Sequence, residues 1–324
     1  IVQNYEKEEF IAGWGQFLPF FIKDGVEVVN DAKGGRSSRL FINEGRFDNI
    51  EKNISAGDYL LIEFCHNDDA SKEYKTMFNR LTPLGEPDSN GRFPIIPGEA
   101  MPKDYIPPEY IDALRKDENV KDKQAVLDSV YKILESYPHD TYYPYSADGS
   151  KGTYLWFLKQ FVDMAREKGA VPVFVTAPAR TVYDANGNIK DGAGLHGGNN
   201  FAYIRAMKQL GEEAKVPVID LFAYSCGLYK QIGKEKIHWI TSIKKGCNKG
   251  IWPDDFNSEM QKKETVSEDT HFNKYGAMLI TQGLVKLIKE SDSSQLDGLK
   301  GMLKNPDGID IEKYVKKPLV FEEF

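Results

Sequence analysis

Basic residues are in short supply. Lys and Arg number 42 against 49 Asp and Glu, a formal charge of −7 over 324 residues. A nucleic-acid binder shows a basic stripe and a membrane-surface protein a polybasic cluster, and an acidic balance argues against both. Long hydrophobic runs are missing too: no apolar stretch approaches the roughly 20 residues that span a bilayer. Cysteine is scarce. Cys65, Cys226 and Cys247 are too few and too scattered for a disulfide framework. No CxxC pair or clustered Cys/His spacing points to zinc. The Gly-x-Ser-x-Gly elbow is lacking, which counts against an α/β-hydrolase nucleophile turn. There is no internal repeat, no initiator methionine and no secretory leader, and the last two absences say nothing about location.

What remains is a globular composition, 41% hydrophobic and 28% charged. Four short apolar runs rich in β-branched residues recur: Val26–Asn30, Tyr59–Phe64, Val171–Thr176 and Val216–Leu221. Near-continuous apolar runs of this length read as parallel strands buried on both faces. Between them lie segments with a 3.6 period. Leu155, Leu158, Phe161, Val162 and Ala165 share one helical face, Phe201, Ile204, Met207 and Leu210 another, and Leu279, Ile280, Leu284, Leu287 and Ile288 a third. Strand–helix alternation predicts an α/β fold, a doubly wound and mostly parallel sheet in three layers, with sites at the carboxyl ends of the strands. Residues 1–291 are expected to form one domain, with a Pro-rich insertion at about 81–151 and a C-terminal extension at 292–324. The insertion is too long for a simple loop and carries a charged helical stretch near 108–136.

Three polar blocks follow strands or open a helix. The first run leads into Asn30-Asp31-Ala32-Lys33-Gly34-Gly35-Arg36-Ser37-Ser38-Arg39. Paired glycines at such a turn let backbone N–H groups approach a ligand and face developing negative charge. The second run leads into Cys65-His66-Asn67-Asp68. Near the C-terminus, Glu268-Asp269-Thr270-His271-Phe272-Asn273 opens the last helix. Each block alone is weak; a Gly-Gly turn is usually only a turn, and an acid before a helix is often only a cap. Their order and their placement together carry the weight.

These blocks, with Gly13-Trp14-Gly15-Gln16, Thr176-Ala177-Pro178-Ala179-Arg180 and Tyr275-Gly276-Ala277, resemble the SGNH (GDSL-like) hydrolases, specifically the rhamnogalacturonan acetylesterase group. The resemblance covers roughly residues 1–80 and 150–290. It implies a flavodoxin-like sheet and a bacterial serine esterase, secreted or cytoplasmic, that takes part in pectin degradation without metal or organic cofactor. The implied partner is an acetylated carbohydrate, with no nucleic acid and no membrane. Carried over by motif, His271 is the general base, Gly35 and Asn67 are oxyanion donors, and Glu268 or Asp269 orients the histidine. His66 lines the site, and Asp68 is read as structural. Trp14, Arg36, Ser37 and Arg180 are expected to meet substrate. Arg39 is a further candidate, for a uronate carboxylate or equally for a structural salt bridge, and Tyr142, Tyr143 and Tyr145 for stacking on sugar rings, although aromatic runs more often serve core or lid packing.

Two departures stand out. The family serine sits in a Gly-Asp-Ser turn after a first, central strand, and Ile1-Val2-Gln3-Asn4-Tyr5 resembles the stretch just past that turn. The nucleophile is therefore expected just before Ile1, and the first central strand is expected to be missing from this chain. The family spacing Asp-x-x-His places Glu268, not Asp269, at the acid position, and Glu268 is favoured on that ground. Acetylated xylan and other acetyl sugars stay open as substrates. A lipase or thioesterase of the same fold and a non-catalytic carbohydrate-binding relative are the competing readings; the acidic balance and the lack of an apolar lid helix disfavour the lipase.

Overall fold

Val173, Phe174 and Val175 are all fully buried, and they face opposite ways. The two valines join a core on one side of the sheet, and Phe174 joins a core on the other. That is the two-sided burial of a parallel strand, and it sets up three layers. The computed structural model describes residues 2–4, 11–69, 78, 80–192, 201–243 and 267–315.

In chain order, α1 (Trp14–Phe17) is followed by α2 (Ser38–Asn43), α3 (Arg46–Asn53) and β1 (Tyr59–Ile62). The insertion holds β2 (Met101–Pro102), α4 (Pro108–Lys116), α5 (Lys123–Glu135) and β3 (Thr141–Tyr142). Then come α6 (Tyr154–Glu167), β4 (Val171–Val175), α7 (Phe201–Ala214), β5 (Val218–Ile219) and α8 (Leu221–Ile232). The chain closes through β6 (Thr241–Ile243), β7 (Ser267–Phe272), α9 (Lys274–Glu290) and α10 (Asp297–Met302).

The sheet order is β1-β4-β5, all parallel, with Tyr59 beside Val171 and Phe174 beside Val218. Helices α6 and α7, with Phe41 of α2, cover one face. Helices α8 and α9 cover the other, joined there by Leu296, Leu299 and Leu303. Through Leu296, Leu299, Leu303, Ile311 and Val315, the described residues beyond Asp292 are thus packed into the main core. The Lys23 N–H donates to Met302 O at 2.9 Å and the Lys304 N–H to Phe21 O at 2.8 Å.

Three of the four expected strands form. Val26–Asn30 does not: it has no ladder partner among the described residues, and Val29 is 66% exposed. A strand is a pairing relation, and β1, the nearest candidate partner, bonds only β4. The insertion has a small core of its own, built from Tyr110, Leu114, Val130, Leu134, Tyr137 and Tyr142 against Leu40 and Phe78. The helical stretch predicted near 108–136 is two helices, the second capped by Asp122, whose carboxylate accepts from the Ala125 N–H at 2.9 Å. No helix among the described residues is long and apolar enough to cross a membrane.

Candidate active site

A cleft of about 1100 Å³ runs the length of β1, between that strand and the extended Val26–Asn30 segment. Its floor is apolar, with Ile22, Leu61, Leu299 and Met302. Its upper end is polar and gathers the motif residues: Asn30, Gly35, His66, Asn67, Arg180 and His271 all line it. This is the carboxyl end of the parallel strands, where the sequence places a site.

Each of these residues is positioned by local structure. Gly35 takes φ +79, and nothing lies within 4 Å of where its Cβ would be, so the turn opens freely into the cleft. Asn67 follows β1 and donates its side-chain amide to Arg36 O at 3.3 Å. His271 is the fifth residue of β7, which pairs antiparallel with β6. Phe272 is buried beside it, and Ala12 N–H donates to Phe272 O at 2.8 Å. Asn273 then caps α9 by accepting from the Gly276 N–H at 2.9 Å, while its own amide donates to Trp239 O at 2.6 Å. A Cβ at Gly276 would lie 2.0 Å from Ile240 O, so only glycine lets α9 start this close to the turn before β6.

The amino end of the chain passes this polar rim. The Asn30 amide donates to Val2 O at 2.8 Å, and the Gly34 N–H donates to the Gln3 side chain. A Cβ on Gly15 would lie 2.5 Å from Val2 O, which gives the Gly-Trp-Gly block a physical reason.

The acid candidates are placed unequally. Glu268 lies in β7, but its side chain falls outside those described. The Asp269 carboxylate accepts from Thr270 Oγ at 2.7 Å, and the Thr181 N–H donates to Asp269 O at 2.8 Å. Strand alternation puts Asp269 and His271 on one face of β7.

Several expected substrate residues are engaged inside the protein. Trp14 is 2% exposed, and its indole N–H donates to Glu63 at 2.6 Å. Arg36 forks onto Glu44 with two bonds of 2.9 Å. Ser37 is fully buried and caps α2, its Oγ accepting from the Leu40 N–H at 3.1 Å. Arg180 is 2% exposed and donates to Thr270 Oγ at 3.3 Å. Burial, then the neighbouring Arg180 charge, pushes the His66 imidazole well below its ordinary value, so it stands neutral at the rim.

Arg39 takes the structural one of its two readings, with backbone carbonyls as partners. It is buried and gives its guanidinium to Phe78 O, Leu81 O and Tyr143 O, so it anchors the insertion and meets no uronate. Tyr142 and Tyr145 are buried, and Tyr143 packs edge-on against Trp156 and Phe157. None of the three lines the cleft, because aromatic side chains in an insertion this large are used to build its core. Sequence reasoning also passed over Glu63 and Arg80, both on the cleft wall. A charge ending an apolar strand run was the available signal for Glu63.

Fold and cleft together define a three-layer α/β protein with a polar rim at the carboxyl ends of its parallel strands. Comparison with known proteins sharpens this. The chain is 30% identical over 280 residues to the rhamnogalacturonan acetylesterase RhgT of Bacillus subtilis (strain 168), covering 86% of this chain and 82% of that protein. It is 28% identical over 290 residues to the probable rhamnogalacturonan acetylesterase YesY of the same organism, covering 89% and 88%. The chain belongs to the rhamnogalacturonan acetylesterase family, and is by that membership an esterase. A crystal structure of the Bacillus subtilis protein YxiM aligns with a TM-score of 0.49 at 19% identity, over 91% of this chain and 55% of that one. No protein-family model matches the chain.

Proposed function

We propose that this chain is the body of a carbohydrate acetylesterase that removes O-acetyl groups from a pectic polymer of the rhamnogalacturonan type. The observation that carries the reading is the convergence of Gly35, Asn67 and His271 on one cleft rim. In the proposed reaction a serine Oγ attacks the acetyl carbonyl carbon while His271 takes the hydroxyl proton. The Gly35 N–H and the Asn67 amide hold the resulting oxyanion. The carbon–oxygen bond to the sugar then breaks, and His271 returns its proton to the departing alkoxide. A water, deprotonated by His271, cleaves the acetyl-enzyme and releases acetate. Glu268, by spacing, or Asp269, by its place on β7, orients the imidazole.

The nucleophile in this proposal is a serine immediately ahead of Ile1. Val2 and Gln3 lie at the rim, bonded to Asn30 and Gly34. The cleft offers a route parallel to β1, whose facing edge has no ladder partner among the described residues. An apolar floor under such a route is what a buried parallel strand requires.

The test compares three proteins: the product that includes the residues encoded ahead of Ile1, the same product with His271→Ala, and residues 1–324 alone. Acetate release is measured from acetylated rhamnogalacturonan, acetylated xylan and p-nitrophenyl esters of short and long acids. The extended product is expected to favour the pectic substrate, and His271→Ala to cost roughly a thousandfold or more in kcat. Residues 1–324 alone are expected to be inactive. A preference for long acyl chains would make it a lipase-type enzyme. Sugar binding without acetate release would make it a binding protein.

A further inference from the structure

The two proposed oxyanion donors come from loops 32 residues apart in sequence, Gly35 ahead of α2 and Asn67 after β1. Donors of this kind act only if held within about 0.5 Å of the productive geometry. The direct side-chain contact from Asn67 to the glycine turn is long, 3.3 Å to Arg36 O. A second and shorter tie lies one residue further on. Asp68 Oδ1 accepts from both the Ser38 N–H, at 2.9 Å, and the Ser38 hydroxyl, at 2.6 Å.

We propose that Asp68 is a positioning residue for the oxyanion pair, clasping the Gly35 turn to the Asn67 loop through Ser38. The proposal rests on the esterase reading of the site. Asp68 is a node for more than these two loops. Its backbone carbonyl accepts from the Thr82 N–H at 3.1 Å, and the Tyr203 hydroxyl, which donates to Thr82 O, lies 3.3 Å from it, which brings the start of the insertion and α7 to the same point.

The choice of a carboxylate is costly here, and that cost argues for a function. Asp68 is 0% exposed, and its Oδ2 has no hydrogen-bond partner among the described residues. Burying a half-satisfied charge destabilises a fold, and a neutral residue of the same shape would serve packing better. What the carboxylate adds is a pair of charge-assisted bonds, shorter and stiffer than neutral ones.

The groups facing it set its titration. Arg39 on α2 favours the ionised form. Cys65 and Asp69 on its own loop, Tyr154 on α6 and Tyr203 on α7 surround it. Burial dominates, against the bonds from Ser38, and pushes the carboxyl up to about 7. Below that pH the proton adds at Oδ2, the two bonds from Ser38 become neutral ones, and the clasp slackens.

The test uses the full-length encoded protein with Asp68→Asn and Ser38→Ala. Asp68→Asn keeps an acceptor oxygen of the same shape; Ser38→Ala keeps the N–H bond and loses the hydroxyl. At pH 8 both are expected to lose about tenfold or more in kcat with KM within about twofold, since only the transition-state oxyanion is affected. The acid limb of the kcat profile is expected to lose one proton's dependence in Asp68→Asn alone. A second readout needs no activity: in ¹⁵N spectra of wild type, the Gly35 N–H and the Asn67 side-chain amide should both shift with a midpoint near neutrality, and Asp68→Asn should abolish that step while leaving histidine titrations in place. Folded variants with unchanged kcat and pH profile, or amide signals indifferent to Asp68, would overturn the clasp. A wild type that releases no acetate would overturn the esterase reading instead, and the amide titration would still decide whether Asp68 couples the two loops.

Discussion

Arg36, Arg39 and Arg180 follow strand ends in sequence and have separate fates in the fold. Arg36 is taken by Glu44, Arg180 is buried against Thr270, and Arg39 is taken by the carbonyls of the insertion. Arg36 finds its partner 8 residues on, whereas those partners of Arg39 and Arg180 lie 39 to 104 residues away along the chain, which no local pattern reveals. Arg39 is the most consequential of the three. Its planar fork reaches three carbonyl groups from separate nitrogens, a spread that a lysine's single ammonium nitrogen does not reproduce. Arg39→Ala would leave those carbonyls buried and unpaired, at a cost of about 3 kcal/mol or more. The expected outcome is a lower Tm, together with faster proteolytic cleavage within 81–151 than elsewhere. Even cleavage along the chain would mean that Arg39 supports the whole fold and has no special tie to the insertion.

Among the elements, the helices follow the sequence closely and one strand does not. The 3.6-residue period locates α6, α7 and α9 within a residue or so, because amphipathicity and caps are written locally. Val26–Asn30 has the composition of a strand and lacks a partner, and composition cannot supply one. The site divides the same way. Gly35, Asn67 and His271 are legible because each sits in a short block at an element boundary. The Ser38–Asp68 clasp joins two such blocks through space and leaves no periodic trace.

The block that carries His271 also shows how an element holds a residue. Asn273 accepts from Gly276 N–H with its oxygen and donates to Trp239 O and Thr241 O with its nitrogen, so one side chain fixes α9, β6 and the end of β7 together. Asn273→Asp keeps the cap and loses the donor, leaving two buried carbonyls without it. About 1–3 kcal/mol of stability is expected to go, and kcat should fall more than KM rises, because His271 two residues earlier loses its fixed frame. Unchanged kcat in a folded Asn273→Asp protein would show that β7 holds His271 without the cap.

At the scale of the molecule, the cleft has two unlike halves. The polar end assembles chemistry from four separate stretches of chain, and the apolar length beneath it lies along β1, whose residues are mostly half-buried. β4 has a ladder partner on each side and is buried from Pro172 to Val175; among the described residues β1 has one partner. Protection from hydrogen exchange follows that difference, since an amide without a ladder partner opens more readily. In residues 1–324 alone, the amides of Leu60, Leu61 and Ile62 that point into the cleft are expected to exchange well before those of Val173 to Val175. In the product extended ahead of Ile1, the proposed strand would fill the cleft and pair that edge, and β1 is expected to become as slow as β4. If β1 were already as slow as β4 in residues 1–324, its edge would be closed by some part of the chain itself. The nucleophile would then have to be sought among the serines of this sequence.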